Sequence, residues 1–175
     1  MTEHYIRFNS EITEESVQSL IDEMGQYQYV VLYFSTDGGY ITEMNMLIDY
    51  LNYRYDTNSL RLILCDEVIS AGTLLLTRYN GPIFLDKGFR MFIFHIIDAQ
   101  APLVRRSQAD RVSITNTERI QKDYLDEIKT LGLNGKELKM VADGQDVVIA
   151  ATDLSRLKRQ FFSGVETVTQ YKLIE

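Results

Sequence analysis

The stretch Val31-Leu32-Tyr33-Phe34-Ser35-Thr36-Asp37-Gly38-Gly39-Tyr40-Ile41-Thr42-Glu43-Met44 constrains this chain most. An apolar run passes through a Gly-Gly turn straight into residues at helical spacing. Two consecutive positions without a Cβ allow positive φ and close approach to a bound group. The N–H groups of such a turn, beside a helix N-terminus, point at negative charge. A strand, this turn and a helix are the start of a layered α/β fold.

The remaining pattern repeats that logic. Residues 5–8 alternate as a short strand, and 13–16 open a helix whose apolar face is Val17, Leu20, Ile21 and Met24, with Gly25 as its stop. Residues 29–34 read as a strand buried on both faces. Ile41, Met44, Leu47, Ile48 and Leu51 form a helical stripe, followed by a polar connection over 52–59. Residues 60–65 are a strand that Asp66-Glu67 is expected to break. Residues 70–76 read as the start of a buried helix ended by Asn80-Gly81-Pro82. Strands are expected at 83–85 and 91–97, and helices at 115–131, 136–141 and 153–162. A short apolar run covers 147–151, and a closing strand 165–174.

Composition narrows the class. At 175 residues and 45% apolar, the chain fits one well-buried domain, here taken as 1–175. A net charge of −7 and a pI near 4.9 argue against a nucleic-acid surface. A single cysteine, Cys65, excludes an internal disulfide framework and reads as a buried thiol. His4, His95 and Cys65 are too few soft ligands for a zinc site, so no metal is expected. No basic n-region opens the chain and no apolar run reaches the roughly 18 residues of a membrane span. These features lead to the expectation of a soluble, cytoplasmic protein.

Three residues carry the candidate chemistry. Ser70 follows an apolar strand at a helix entry, where a hydroxyl lies near converging N–H donors; the same place suits an ordinary helix cap. His95 ends an apolar strand, a position equally suited to a satisfied sheet-edge histidine. Asp146 precedes a short apolar run, where isolated acids commonly form turns. Asp143 and Asp98 compete with it for the same role.

Taken in order, Ser35 to Thr42, then Ile69-Ser70-Ala71-Gly72-Thr73-Leu74-Leu75-Leu76, then Arg90 to His95, and finally Asp146 to Leu154 resemble the proteolytic subunit of Clp protease (ClpP), a family of the crotonase-like superfold. The similarity spans roughly residues 6–157. It implies an α/β fold with a repeated β-β-α superhelix and a protruding handle at about 99–131. It also implies Ser70 as nucleophile, His95 as general base and Asp146 as the acid that orients it, with backbone N–H groups of Gly38, Gly39 and Ala71 as the oxyanion hole. The implied substrate is an extended polypeptide added as a strand beside the Gly-Gly segment. The implied assembly is a homo-oligomeric ring, with no cofactor.

The chain also departs from that family. Asp37 replaces proline, Asp66 replaces glycine, Ile69 replaces a small residue, and Ile96-Ile97 replace Gln-Pro. The chain begins almost at its first strand, so the axial loops that contact an ATPase unfoldase are expected to be missing. The leading expectation is a serine peptidase. The alternative is an inactive relative that serves as scaffold or regulatory partner of an active subunit. An acyl-CoA enzyme on the same superfold ranks last, because Ser, His and Asp would have no part in its chemistry.

Overall fold

The computed structural model describes residues 2–96, 108–165 and 168–175, with side chains in the long fourth helix described from residue 117 onward. Eight strands and five helices are described: β1 (His4–Asn9), α1 (Glu14–Met24), β2 (Val30–Thr36), α2 (Ile41–Asp56), β3 (Leu60–Ile69), α3 (Leu75–Arg78), β4 (Ile83–Asp86), β5 (Met91–Phe94), α4 (Gln108–Thr130), α5 (Gly135–Ala142), β6 (Val147–Ala150), β7 (Phe161–Val165) and β8 (Lys172–Ile174). Short 3-10 turns occupy Ser70–Leu74 and Ala151–Arg156. The result is a mixed α/β fold around a mostly parallel sheet.

The strands run in the order β6-β5-β3-β2-β1-β8, and β4, paired to β7, docks on β3 as well. Among the described residues only β5 and β6 pair antiparallel. Period-two alternation separates the two faces. Ile6, Phe8, Leu32, Phe34, Leu62 and Leu64 join the apolar faces of α1, α2, α4 and α5 in the main core. Val31, Tyr33, Ile63 and Cys65 form a smaller cluster on the other face, with Tyr5, Tyr29, Phe84, Val165 and Val168 packed against it. All seven residues of β2 are buried, as its unbroken apolar run requires.

Helix ends follow local chemistry. Thr13 and Ser16 exchange hydrogen bonds in a capping box that starts α1, and Asn134 and Glu137 do the same for α5. No helix among the described residues is long and apolar enough to cross a membrane.

Several expectations change. The polar residues 52–56 continue α2, because Arg54 turns inward and donates to the carbonyls of Met24, Tyr27 and Ser59. Asp66-Glu67 does not end β3. Asp66 takes the left-handed conformation (φ 52°), which Asp tolerates, and its carboxylate is held by Arg7. The strand bends there and continues. Before the bend Leu62–Leu64 pair with β4, and after it Glu67–Ile69 pair with β5. Residues 70–76 form a 3-10 turn running into α3 rather than one helix. The helix expected at 153–162 is a 3-10 turn followed by β7, whose Phe161 and Phe162 pair with Ile83 and Phe84. The closing strand is only Lys172–Ile174, and residues 166–167 lie outside the described residues. The strand at 91–97 stops at Phe94; Ile97, Asp98 and residues 99–107 of the expected handle lie outside the described residues.

Candidate active site

Sheet order brings the candidate residues together. Gly38 and Gly39 follow β2, Ser70 follows β3, His95 follows β5, and Asp146 precedes β6. Those four strands are consecutive in the sheet, so their ends meet along one edge. The carboxyl edge of a parallel sheet is where α/β folds place ligands.

Register fixes the His95–Asp146 pair. In the antiparallel ladder Phe94 lies opposite Val147. The next step sets His95 opposite Asp146, as cross-strand neighbours. His95 Nδ1 and Asp146 Oδ1 stand 2.6 Å apart. An ionised carboxylate only accepts, so the proton of this bond sits on Nδ1, and in the neutral imidazole Nε2 then carries the lone pair that can take a second proton. Asp143, the competing acid, lies instead at the end of α5, 3.8 Å from Lys139. The other competitor, Asp98, lies outside the described residues.

Ser70 sits on a strained backbone. Its φ of 55° is left-handed, which costs a residue bearing a Cβ roughly 1–2 kcal/mol. The bend puts its side chain into a cleft of about 300 Å³ lined by Glu11, Asp37, Gly38, Gly39, Ile69, Ser70, His95 and Ile96. Ser70 is 8% exposed. Its hydroxyl donates weakly to the Ile96 carbonyl at 3.4 Å rather than to His95.

The Gly-Gly turn packs directly on this serine. A Cβ added to Gly38 (φ 106°) would lie 2.9 Å from Ser70 Cβ and 3.2 Å from the Ile69 carbonyl oxygen. One added to Gly39 (φ 148°) would meet the Ile12 carbonyl oxygen at 2.1 Å. Ile12 clasps the turn through Ile12 N–H to Gly38 O at 2.7 Å and Tyr40 N–H to Ile12 O at 3.0 Å. The Gly38 N–H is not free: it donates to Thr36 Oγ1 at 3.0 Å. The three expected oxyanion donors therefore differ. No described residue accepts the Gly39 N–H, and Ala71 lies in the first turn of a 3-10 helix, where N–H groups lack intrahelical acceptors.

Sequence reasoning missed Glu11 and gave Ile96 only as a departure after His95. Glu11 lies in the connection before α1 and reaches the cleft only because Ile12 bridges to Gly39. No local motif marks it. Asp37 and Glu11 both stand exposed at the cleft, which gives its mouth negative charge. Among the described residues no group of three His, Cys, Asp or Glu side chains could hold a metal ion. Compared with models of known protein families and with curated proteins, the chain matches none.

Proposed function

We propose that this protein is a serine peptidase of the ClpP type, built on a crotonase-like arrangement of the mixed α/β sheet. The observation that carries the reading is the His95–Asp146 pair, 2.6 Å apart, beside a serine on strained backbone packed against a Gly-Gly turn in one cleft. Ser70 turns about χ1 from the Ile96 carbonyl toward His95 Nε2, and its oxygen attacks the scissile carbonyl as Nε2 takes the proton. Catalytic hydrogen bonds that are loose in the free enzyme commonly tighten with substrate. Asp146 accepts from Nδ1 and stabilises the imidazolium. The Gly39 and Ala71 N–H groups meet the developing oxyanion, where loss of one donor typically costs about 3 kcal/mol. The C–N bond breaks, the amine leaves with the proton from Nε2, and water then releases the acyl group by the same route. The peptide lies as a strand beside the Gly-Gly segment, and α4 provides the handle through which copies assemble into a chamber.

A second reading rests on Asp37 and on the present Ser70 bond. A carboxylate near the oxyanion site opposes charge development, and a hydroxyl turned to Ile96 is not activated. These favour an inactive scaffold that co-assembles with a catalytic partner.

Incubation with a small fluorophosphonate and mass analysis of the Ser70 peptide separates the two. The expected result is a stoichiometric adduct, absent in Ser70→Ala and in His95→Ala, with hydrolysis of a fluorogenic peptide lost in parallel. A folded, assembled protein that takes no adduct overturns the peptidase reading in favour of the scaffold. Hydrolysis that survives Ser70→Ala overturns the assignment of the nucleophile.

A further inference from the structure

The buried hydroxyl of Tyr124 on α4 is used by nothing in the mechanism above. Tyr124 is 1% exposed, and its Oη lies 2.7 Å from Thr73 Oγ1. Thr73, fully buried, donates to the Ser70 carbonyl at 2.6 Å. A hydroxyl has one proton, so Thr73 cannot also donate to Tyr124. Tyr124 must donate to Thr73. The bonds then run one way, from Tyr124 O–H to Thr73 O–H to Ser70 C=O, and each strengthens the next in a low-dielectric interior.

The other end of the chain reaches the second candidate residue. The main-chain N–H of His95 lies against the Tyr124 oxygen, where it opposes the upward push that burial gives this phenol's pKa. One phenol thus touches the backbone of His95 and, through Thr73, the backbone of Ser70.

We infer that Tyr124 is a positioning residue: through Thr73 it holds the strained Ser70 peptide, and its oxygen braces the His95 main chain, so that nucleophile and base keep one relative placement. The inference rests on the peptidase reading for its catalytic consequence and on geometry for its structural one. The left-handed Ser70 peptide needs such a restraint, because strained backbone persists only where its surroundings over-determine it. Tyr124 is not needed to dock α4 itself. Arg78 Nε and Thr77 Oγ1 bind Glu127 one turn further on, at 3.0 and 2.9 Å. Tyr124→Phe removes one oxygen and leaves that anchor intact.

The test uses the full chain as wild type, Tyr124→Phe, Thr73→Val, Thr73→Ser and the double variant Tyr124→Phe/Thr73→Val. The readouts are the rate of fluorophosphonate labelling at Ser70, kcat and KM on a fluorogenic peptide, and hydrogen exchange at residues 70–72 and 95. The expected result is a fall of about tenfold or more in labelling rate and kcat for Tyr124→Phe and Thr73→Val, with KM unchanged. The double variant is no slower than the worse single one, because both break one network. Thr73→Ser keeps the wild-type rate to within about twofold, since its hydroxyl makes the same bonds. Ile128→Val, which loosens the same helix without touching the network, leaves the rate unchanged. Amides at 70–72 and 95 exchange faster in Tyr124→Phe. An unchanged labelling rate in folded Tyr124→Phe overturns the inference, whatever the exchange shows. If the wild type takes no label, the peptidase reading fails by itself, and exchange decides: acceleration at both Ser70 and His95 supports the positioning, and unchanged exchange overturns it.

Discussion

Ser70 shows how one residue holds a conformation that its side chain disfavours. The φ of 55° would suit glycine, yet the position keeps a Cβ and an oxygen. Removing the oxygen alone leaves the strain, and removing the Cβ as well relieves it. Ser70→Gly is therefore expected to melt roughly 2–4 °C above Ser70→Ala, about 1 kcal/mol at this chain length. Thermal denaturation of the two variants side by side checks this; equal melting would mean that the seat is not strained. Asp66 solves the same problem differently, four residues earlier. A short acidic side chain tolerates φ 52°, and Arg7 neutralises it. What reads as a strand breaker in a list of residues is a bend held by an ion pair, and the partner lies 59 positions away. No window of local sequence contains that information.

At the level of elements, the Gly-Gly turn and the connection between β1 and α1 form one unit. Ile12 hydrogen-bonds on both sides of Gly39, and the space for a Cβ at Gly39 is taken by the Ile12 carbonyl. Gly39→Ala is expected to destabilise the fold by at least about 2 kcal/mol, since positive φ and a backbone clash act together. Urea denaturation measures it, and a loss below about 0.5 kcal/mol would show that the turn relaxes freely. The β2 strand, the Gly-Gly turn and the apolar stripe of α2 were legible, because period and turn chemistry agree there. So was the meeting of Ser70, His95 and Asp146 in one place, although only through the order of motifs. The β7 strand was not legible. Arg156 to Phe162 carries no alternation, and pairing of Phe161 with Ile83 decides its state. The bond linking Thr73 to Tyr124 was hidden too: Tyr124 sits on an amphipathic stripe, and the stripe explains its ring while leaving its hydroxyl unaccounted for.

Across the whole molecule, the sheet carries its described helices' core contacts on one face and a small cluster containing Cys65 on the other. Cys65 is buried, and burial pushes its thiol pKa up to about 12. A raised pKa keeps the neutral thiol, the unreactive form, at every pH below that value. Reaction with a disulfide reagent at pH 8 is thus expected to be at least roughly a hundredfold slower in native protein than in denaturant. A native thiol that reacts within a few-fold of the unfolded rate would show that this face opens on its own. The forked pairing of β3 has a different consequence. Gly38, Gly39 and Ser70 come from the first half of the chain, and His95 and Asp146 from the second, with β3 meeting β5 only over Glu67–Ile69. A cut in the Asn80-Gly81-Pro82 loop gives two fragments, each with an incomplete constellation, that must rejoin through β3–β5, β3–β4 and β1–β8. Labelling of Ser70 regained on mixing such fragments would report on their reunion.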